Sequence, residues 1–249
     1  MDALTISAAS GIRARMESLE LLANNIANQA TAGYKADQEA YSLYVAPEAW
    51  EDYRGGPEEP ATLPVVERQW TDFSQGTLTP TGNSLDLALS GRGFFVVEGA
   101  AGPLYTRNGS FRVNPSGRLE TQEGYAVLNP SGQPIQLDPQ LPLEIDKLGE
   151  VYQDNALVAQ IAVAELQDTS QLQKRAGTYF AVQGVQPGMA STGSVDVHQG
   201  KLEAGNTSPA EAAVRLVNVM RQFEMLQRAV QIGSEMNRRA ADDVARVGS

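Results

Sequence analysis

The sequence contains no cysteine. That excludes structural disulfides, thiolate metal sites and thiol catalysis, and it excludes no compartment. There is no apolar run near eighteen residues, so no direct insertion into a membrane is expected. Residues 1–9 lack a basic stretch followed by an apolar core; a cleaved general secretory signal is not expected, and export would need another route. Positive charge is scarce as well. Nineteen Lys and Arg against 30 Asp and Glu leave a net charge of −11, with no basic cluster, which argues against nucleic acid as a partner.

Candidates for chemistry are equally thin. A single histidine, His198, cannot assemble a histidine-rich metal site, and no metal or cofactor is expected. Gly91-Arg92-Gly93 lacks the third glycine of a phosphate-cradling loop and leads into a strand, not a helix N-terminus. Asp86 and Glu120 are the carboxylates that could face one cleft in a glycosidase, yet turns and strand packing already account for both. Glu58-Glu59 and Asp242-Asp243 read as solvated charge. No catalytic residue is assigned.

What is present is strong helical periodicity at both ends. From Pro209 to Val247, Leu216, Val219, Phe223, Leu226, Val230, Gly233, Asn237, Ala240, Val244 and Val247 alternate at steps of three and four, forming one seam. Met225, Ala229, Ile232 and Met236 add a second apolar stripe beside it, more than one neighbour can cover. Asn206, Thr207 and Ser208 offer capping oxygens, Pro209 suits the first helical position and Glu211 complements the dipole. A helix of 39 residues is roughly 58 Å long, against about 45 Å for the diameter of a compact globule of this chain length. Such a helix is expected to project and to need partners. Residues 2–28 form a second amphipathic helix with Ile12, Met16, Leu19, Leu22, Ala23 and Ile26 as its stripe.

Between the helices, residues 36–75 carry nine acids against two arginines, with Pro, Gly and interspersed aromatics, and read as an extended acidic connection. From Gly76 onward the chain is β-rich. Leu85, Leu87 and Leu89 alternate with Asp86 and Ala88, Phe94–Val97 follows a glycine turn, and Asn108-Gly109 marks a hairpin. Short strands over Tyr125–Leu128 and Ile135–Leu137, a longer one over Leu157–Leu166 and another over Thr178–Val182 complete an antiparallel sheet or open barrel.

Three blocks carry a resemblance. In ANNIANQATAGYKAD, residues Asn24, Asn25, Ala27, Asn28, Thr31, Gly33, Tyr34 and Lys35 match the N-terminal signature of the axial proteins of the bacterial flagellum, the rod and hook family. Thr81–Val97, containing Gly91, Gly93, Phe94 and Phe95, and Tyr105–Leu128 resemble that family's central domain. Gly200–Ala212, containing Asn206, and Val217–Val230 resemble its C-terminal part, and Arg221–Met225 followed by a basic residue is most similar to proximal rod components beside the distal rod. Gly205 departs from the family, where serine commonly precedes the asparagine.

The resemblance implies an α+β chain in three parts. Residues 1–34 and 206–249 are the helical assembly domain, 35–75 the connection and 76–205 the β domain. Long N- and C-terminal helices would pair as a coiled-coil-like layer beside a central, mainly antiparallel β domain. It implies a structural subunit of a hollow periplasmic rod, contacting copies of itself and other rod proteins, delivered by the flagellar type III export apparatus and transmitting torque from motor to hook. The assembly interface would be Ile12, Met16, Leu19, Leu22, Ile26, Leu216, Val219, Phe223, Leu226, Val230, Gly233, Asn237 and Val244. A second reading is a cell-envelope binding module or wall-acting enzyme with helical oligomerisation ends; it requires an acidic cleft on the β region.

Overall fold

A computed structural model describes residues 3–45, 62–166, 168–182 and 194–247. The chain forms two compact units: 1–27, 37–71 and 208–249 make one, 28–36 and 72–207 the other.

The first unit holds helix α1 (Ala3–Ala27), strands β1 (Asp37–Val45) and β2 (Thr62–Thr71), and helix α2 (Pro209–Val247). β1 and β2 pair antiparallel, with a bulge between Ala40 and Tyr41. Both strands lie within the segment expected as an acidic connection; residues 46–61, including Trp50, Tyr53 and Glu58-Glu59, fall outside the described residues. At the start of α2, Ser208 accepts bonds through its carbonyl from Ala212 N–H (3.0 Å) and through its hydroxyl from Glu211 N–H (3.5 Å). Glu211 sits in the first turn, where a carboxylate meets the positive end of the helix dipole.

The expectation of a long layer of N- and C-terminal helices paired like a coiled coil is corrected here. Among the described residues the structure has one α-helix at each end, of 25 and 39 residues, and mostly antiparallel β-sheets between them in sequence. α1 touches α2 but also lies against β1 and β2. Its buried positions are Ala8, Gly11, Ala14, Ser18, Leu22 and Asn25, mostly small residues, while Met16 of the expected stripe is 50% exposed. Small side chains permit close approach but supply no knobs for a heptad seam. The α+β composition itself stands.

The second unit is built from short strands. β3 (Leu78–Pro80) pairs with β16 (Lys201–Glu203), and β4 (Leu87–Ser90) with β15 (Asp196–Gln199). β5 (Gly93–Gly99) and β6 (Gly102–Thr106) form a hairpin inside a five-stranded sheet ordered β12-β5-β6-β14-β13, where β12 is Val163–Glu165, β13 Leu172–Ala176 and β14 Tyr179–Val182. β7 (Phe111–Val113) pairs with β8 (Leu119–Thr121). A three-stranded sheet is ordered β11-β10-β9, from Ala156–Gln160, Glu150–Gln153 and Leu143–Ile145.

The run Phe94–Val97 is apolar without alternation because both of its faces are covered. Phe95 and Val97 enter one core cluster with Leu87, Leu89, Phe111, Val151 and Ile161, and Phe94 and Val96 enter a second with Tyr105, Leu172 and Phe180. Three expected strands come out differently. Leu157–Leu166 is split between β11 and β12 because Ile161 turns inward to bond Gly149 O, passing the chain from one sheet to the other. Tyr125–Leu128 and Ile135–Leu137 make isolated bridges, Val97 with Val127 and Leu128 with Pro134 among them, in place of continuous ladders.

Candidate functional site

The N-terminal motif closes α1, where Asn24, Asn25 and Ala27 lie, and its remaining residues, from Asn28 to Lys35, belong to the β-rich unit. Asn25 sits at the end of α1, where its side chain donates to Asp37 O (2.8 Å) and accepts from Asp37 N–H (3.0 Å), a reciprocal pair that fixes how β1 begins. Beyond it, Thr31 N–H reaches Asn28 O (2.9 Å) and Tyr34 N–H reaches Thr31 O (3.2 Å), so the chain is wound tightly before Gly33. Gly33 has φ +67 and donates to Glu203 O at 2.7 Å. A Cβ there would lie 2.2 Å from Asn108 N and 2.3 Å from Arg107 C. Only glycine fits, for both conformation and space.

That close approach delivers Lys35 into the interior. Its side chain is wholly buried and donates to Glu203 Oε1 (2.6 Å) and to Ser74 O (2.6 Å). Glu203, equally buried, also accepts from Gly76 N–H (2.9 Å) at Oε1 and from Arg107 Nη1 (3.2 Å) at Oε2. Arg107 in turn donates to Gly91 O and lies over the Phe94 ring, 5.1 Å from its centroid. One carboxylate thus joins two cations from distant parts of the chain. Burial works to lower the Lys35 pKa and the Glu203 carboxylate opposes it, with the net shift downward; Arg107 shows the same order of causes and the same direction.

Asn206 closes the arrangement. Its side-chain oxygen accepts from Ala36 N–H (2.8 Å), and its amide donates to Asp72 O (2.7 Å) and to Ser74 Oγ (3.1 Å). Asp72 N–H donates to Ala36 O (2.8 Å). Lys174 reaches Lys35 O (3.1 Å) and covers the Tyr34 ring at 4.4 Å. Gly205 is packed so that a Cβ would meet Gln29 O at 2.8 Å. A larger residue here requires the backbone at Gln29 to shift.

Such a cluster holds chain segments; it offers no acid or base for turnover, since the Glu203 carboxylate is filled by donors and Lys35 is paired. The other carboxylates considered are occupied too. Glu120 receives Arg112, Arg118 and Asn114; burial pushes its pKa up, but these bonds prevail and hold it below the ordinary value. Asp86 takes the Asn83 amide at 3.1 Å, and His198 stands opposite Ala88 in the β15–β4 ladder. Among the described residues no group of three or more His, Asp or Glu is placed to hold a metal ion.

Gly91 (φ +112) and Gly93 frame the turn into β5; a Cβ on Gly93 would lie 2.7 Å from Val163 Cγ1, and Phe94 and Phe95 are buried on opposite faces. Of the interface residues read from periodicity, Leu22 and Gly233 are buried, Ile12, Leu19, Ile26, Leu216, Val219, Phe223, Leu226 and Val230 half-buried, and Met16 and Asn237 exposed. The Val244 side chain lies outside the described residues. Arg107 and Glu203 escaped the sequence reading. The available signal was position: each stands inside a matched block, YTRNG and GKLEAGN, as Lys35 does in the first.

The two stretches that supply those charges match family descriptions. Residues 88–153 match the flagellar hook protein FlgE/F/G D1 domain, and residues 198–243 match the flagellar basal body rod FlgEFG protein C-terminal domain. The chain is 32% identical to the flagellar basal-body rod protein FlgF of Caulobacter vibrioides over 231 residues, 92% of each chain. The chain belongs to the flagellar basal-body rod proteins. Its similarity extends to the rod protein FlgG of Agrobacterium fabrum, 30% over 95% of this chain and 97% of that one. The hook protein FlgE of Brucella abortus is 38% identical over 48% of this chain and 29% of its own. In this rod protein the buried junction therefore lies where two of the family's shared domains meet the N-terminal motif.

Proposed function

We propose that this rod protein is a structural subunit of the proximal part of the rod, joining copies of itself and other rod and hook-type proteins through heterologous contacts whose rotation does not close. In this reading it is not an enzyme. Its work is mechanical: the rod crosses the periplasm and carries torque from motor to hook. The flagellar type III apparatus delivers the chain.

The observation that supports assembly is the apolar surface left on α2. Val214, Met225, Ile232 and Met236 are 62%, 60%, 59% and 65% exposed. Ordered apolar surface of this kind gains about 25 cal/mol for each Å² removed from water, and it needs a neighbour to be removed. The half-buried seam from Leu216 to Val230, with Gly233, Asn237 and Val244 continuing it and Ile12, Met16, Leu19, Leu22 and Ile26 on α1, is the proposed contact set. Residues 1–34 and 206–249 form the assembly part, 35–75 the connection and 76–205 the β domain in this proposal, while Lys35, Arg107, Glu203 and Asn206 hold the β-rich unit together at its chain ends.

The test is co-purification. In cells whose only copy of this protein carries an epitope tag, the tag should appear in detergent-extracted basal bodies that retain a rod. Intact rods lacking the tag would overturn the reading.

A further inference from the structure

The multi-stranded sheets of the β-rich unit have four lateral edges among the described residues, and two are covered. β12 is buried at Val163 and Ala164, and β9 lies against β15, whose Gln199 accepts the Ile145 N–H. β11 and β13 remain. β11 reads Ala156-Leu157-Val158-Ala159-Gln160, with neither a charge nor a proline; Val158 is the extra residue of a bulge against β10, and Leu157 and Val158 are 59% and 45% exposed. Exposed apolar edges are templates for pairing; of the usual guards, Lys, Pro or a bulge, β11 has only the bulge. β13, Leu172-Gln173-Lys174-Arg175-Ala176, carries two cations, and Arg175 is exposed.

The charges decide which edge meets which. Around β11, residues 138–160 hold Asp138, Glu144, Asp146, Glu150 and Asp154 against Lys147 alone. Two β11 edges brought together would face acid with acid, whereas β13 supplies the opposite sign. We propose that β11 of one copy pairs antiparallel with β13 of a second copy, extending its sheet by strand addition between subunits. Backbone hydrogen bonds supply the contact, Leu157 and Val158 lose their exposure, and the exposed Arg175 settles the register against the acidic flank. Because the two edges are different surfaces of one chain, the contact is heterologous and repeats from copy to copy without pairing off into a closed dimer. This rests on the rod-subunit reading and names one of its surfaces.

The absence of cysteine makes the test clean. Leu157→Cys and Gln173→Cys are introduced together into the sole cellular copy, and isolated basal bodies are treated with a short bismaleimide. Covalent dimers and longer ladders are expected from the double variant and none from either single variant. Cross-linking by Leu157→Cys alone would show like edges meeting and overturn the proposal, as would a double variant incorporated at the wild-type level without cross-links. Should the cysteine variants fail to incorporate, Leu157→Lys is read in their place, with circular dichroism confirming the fold. At least a tenfold loss from basal bodies is expected, and wild-type incorporation overturns the pairing. Absence of the unmodified chain from basal bodies would instead sink the rod reading itself.

Discussion

Lys35 and Glu203, 168 residues apart in sequence, meet at 2.6 Å with neither side chain reaching solvent. An ion pair so placed is sensitive to the loss of one member, because the other is left buried and uncompensated. Glu203→Ala would strand both Lys35 and Arg107. A loss of about 3–5 kcal/mol is expected in urea unfolding of the β-rich unit. Lys35→Met, which matches the stem length, should cost comparably, because Glu203 then retains Arg107 alone among its cations. Unchanged unfolding midpoints in both variants would contradict the role given to this pair.

Gly33 tests the junction by shape. Gly33→Ala places a methyl group where Asn108 and Arg107 backbone atoms already stand, at a positive φ. A destabilisation of about 2–4 kcal/mol is expected from the combined strain and displacement. Gly132→Ala is the control, since its φ is also positive but the space around it is open. It should cost only about 1 kcal/mol. Equal losses at the two sites would mean that conformation alone, and not the close approach, governs Gly33.

Alkaline titration reports on two phenols. Burial pushes the pKa of Tyr105 up, and burial followed by the Glu123 bond does so for Tyr179. A raised folded pKa means that the unfolded chain loses these protons first, so their contribution is complete below the ordinary phenol pKa of about 10 and is lost as pH rises above it. Lys35, with its pKa lowered, acts in the opposite sense between its folded value and the ordinary lysine value. Tyrosinate absorbance should show these phenols ionising late, and Tyr179→Phe should flatten the fall in stability above pH 10. A fall of unchanged steepness in that variant would remove Tyr179 from the account.

The α2 seam gives a prediction separable from folding. Leu226→Glu places a charge at a half-buried position on a helix outside the β-rich unit. Thermal unfolding of that unit should stay within about 0.5 kcal/mol of wild type, while incorporation into basal bodies should be abolished. Normal incorporation would refute the seam as a contact.

Much of this architecture was legible in the sequence, and the misses have physical causes. Both helices announced themselves by period and by the Asn206–Pro209 start, and Phe94–Val97 by its unbroken apolar run. How the helices are used was not legible, because periodicity marks an apolar face without saying whether a helix, a hairpin or another subunit covers it. Of the α1 face buried within the unit, periodicity named Leu22 but passes over Ala8, Gly11, Ala14 and Ser18. The split of Leu157–Leu166 depends on one carbonyl, Gly149 O, distant in the pattern. Lys35 and Asn206 were marked as motif residues, but the meeting of Lys35, Arg107 and Glu203 is a long-range closure that no local spacing encodes.

Asn206 bonds to Ala36 and to Asp72, and those three positions stand at or next to three of the four points where the chain enters or leaves the β-rich unit. The unit therefore behaves as a loop drawn shut by a clasp. Material added far from the clasp, at the exposed Asn129–Gly132 turn for instance, lengthens the loop without moving its ends. A single clasped frame can in this way accept bodies of different size, since the positions of its chain ends are set at the clasp and not by the bulk hung from it.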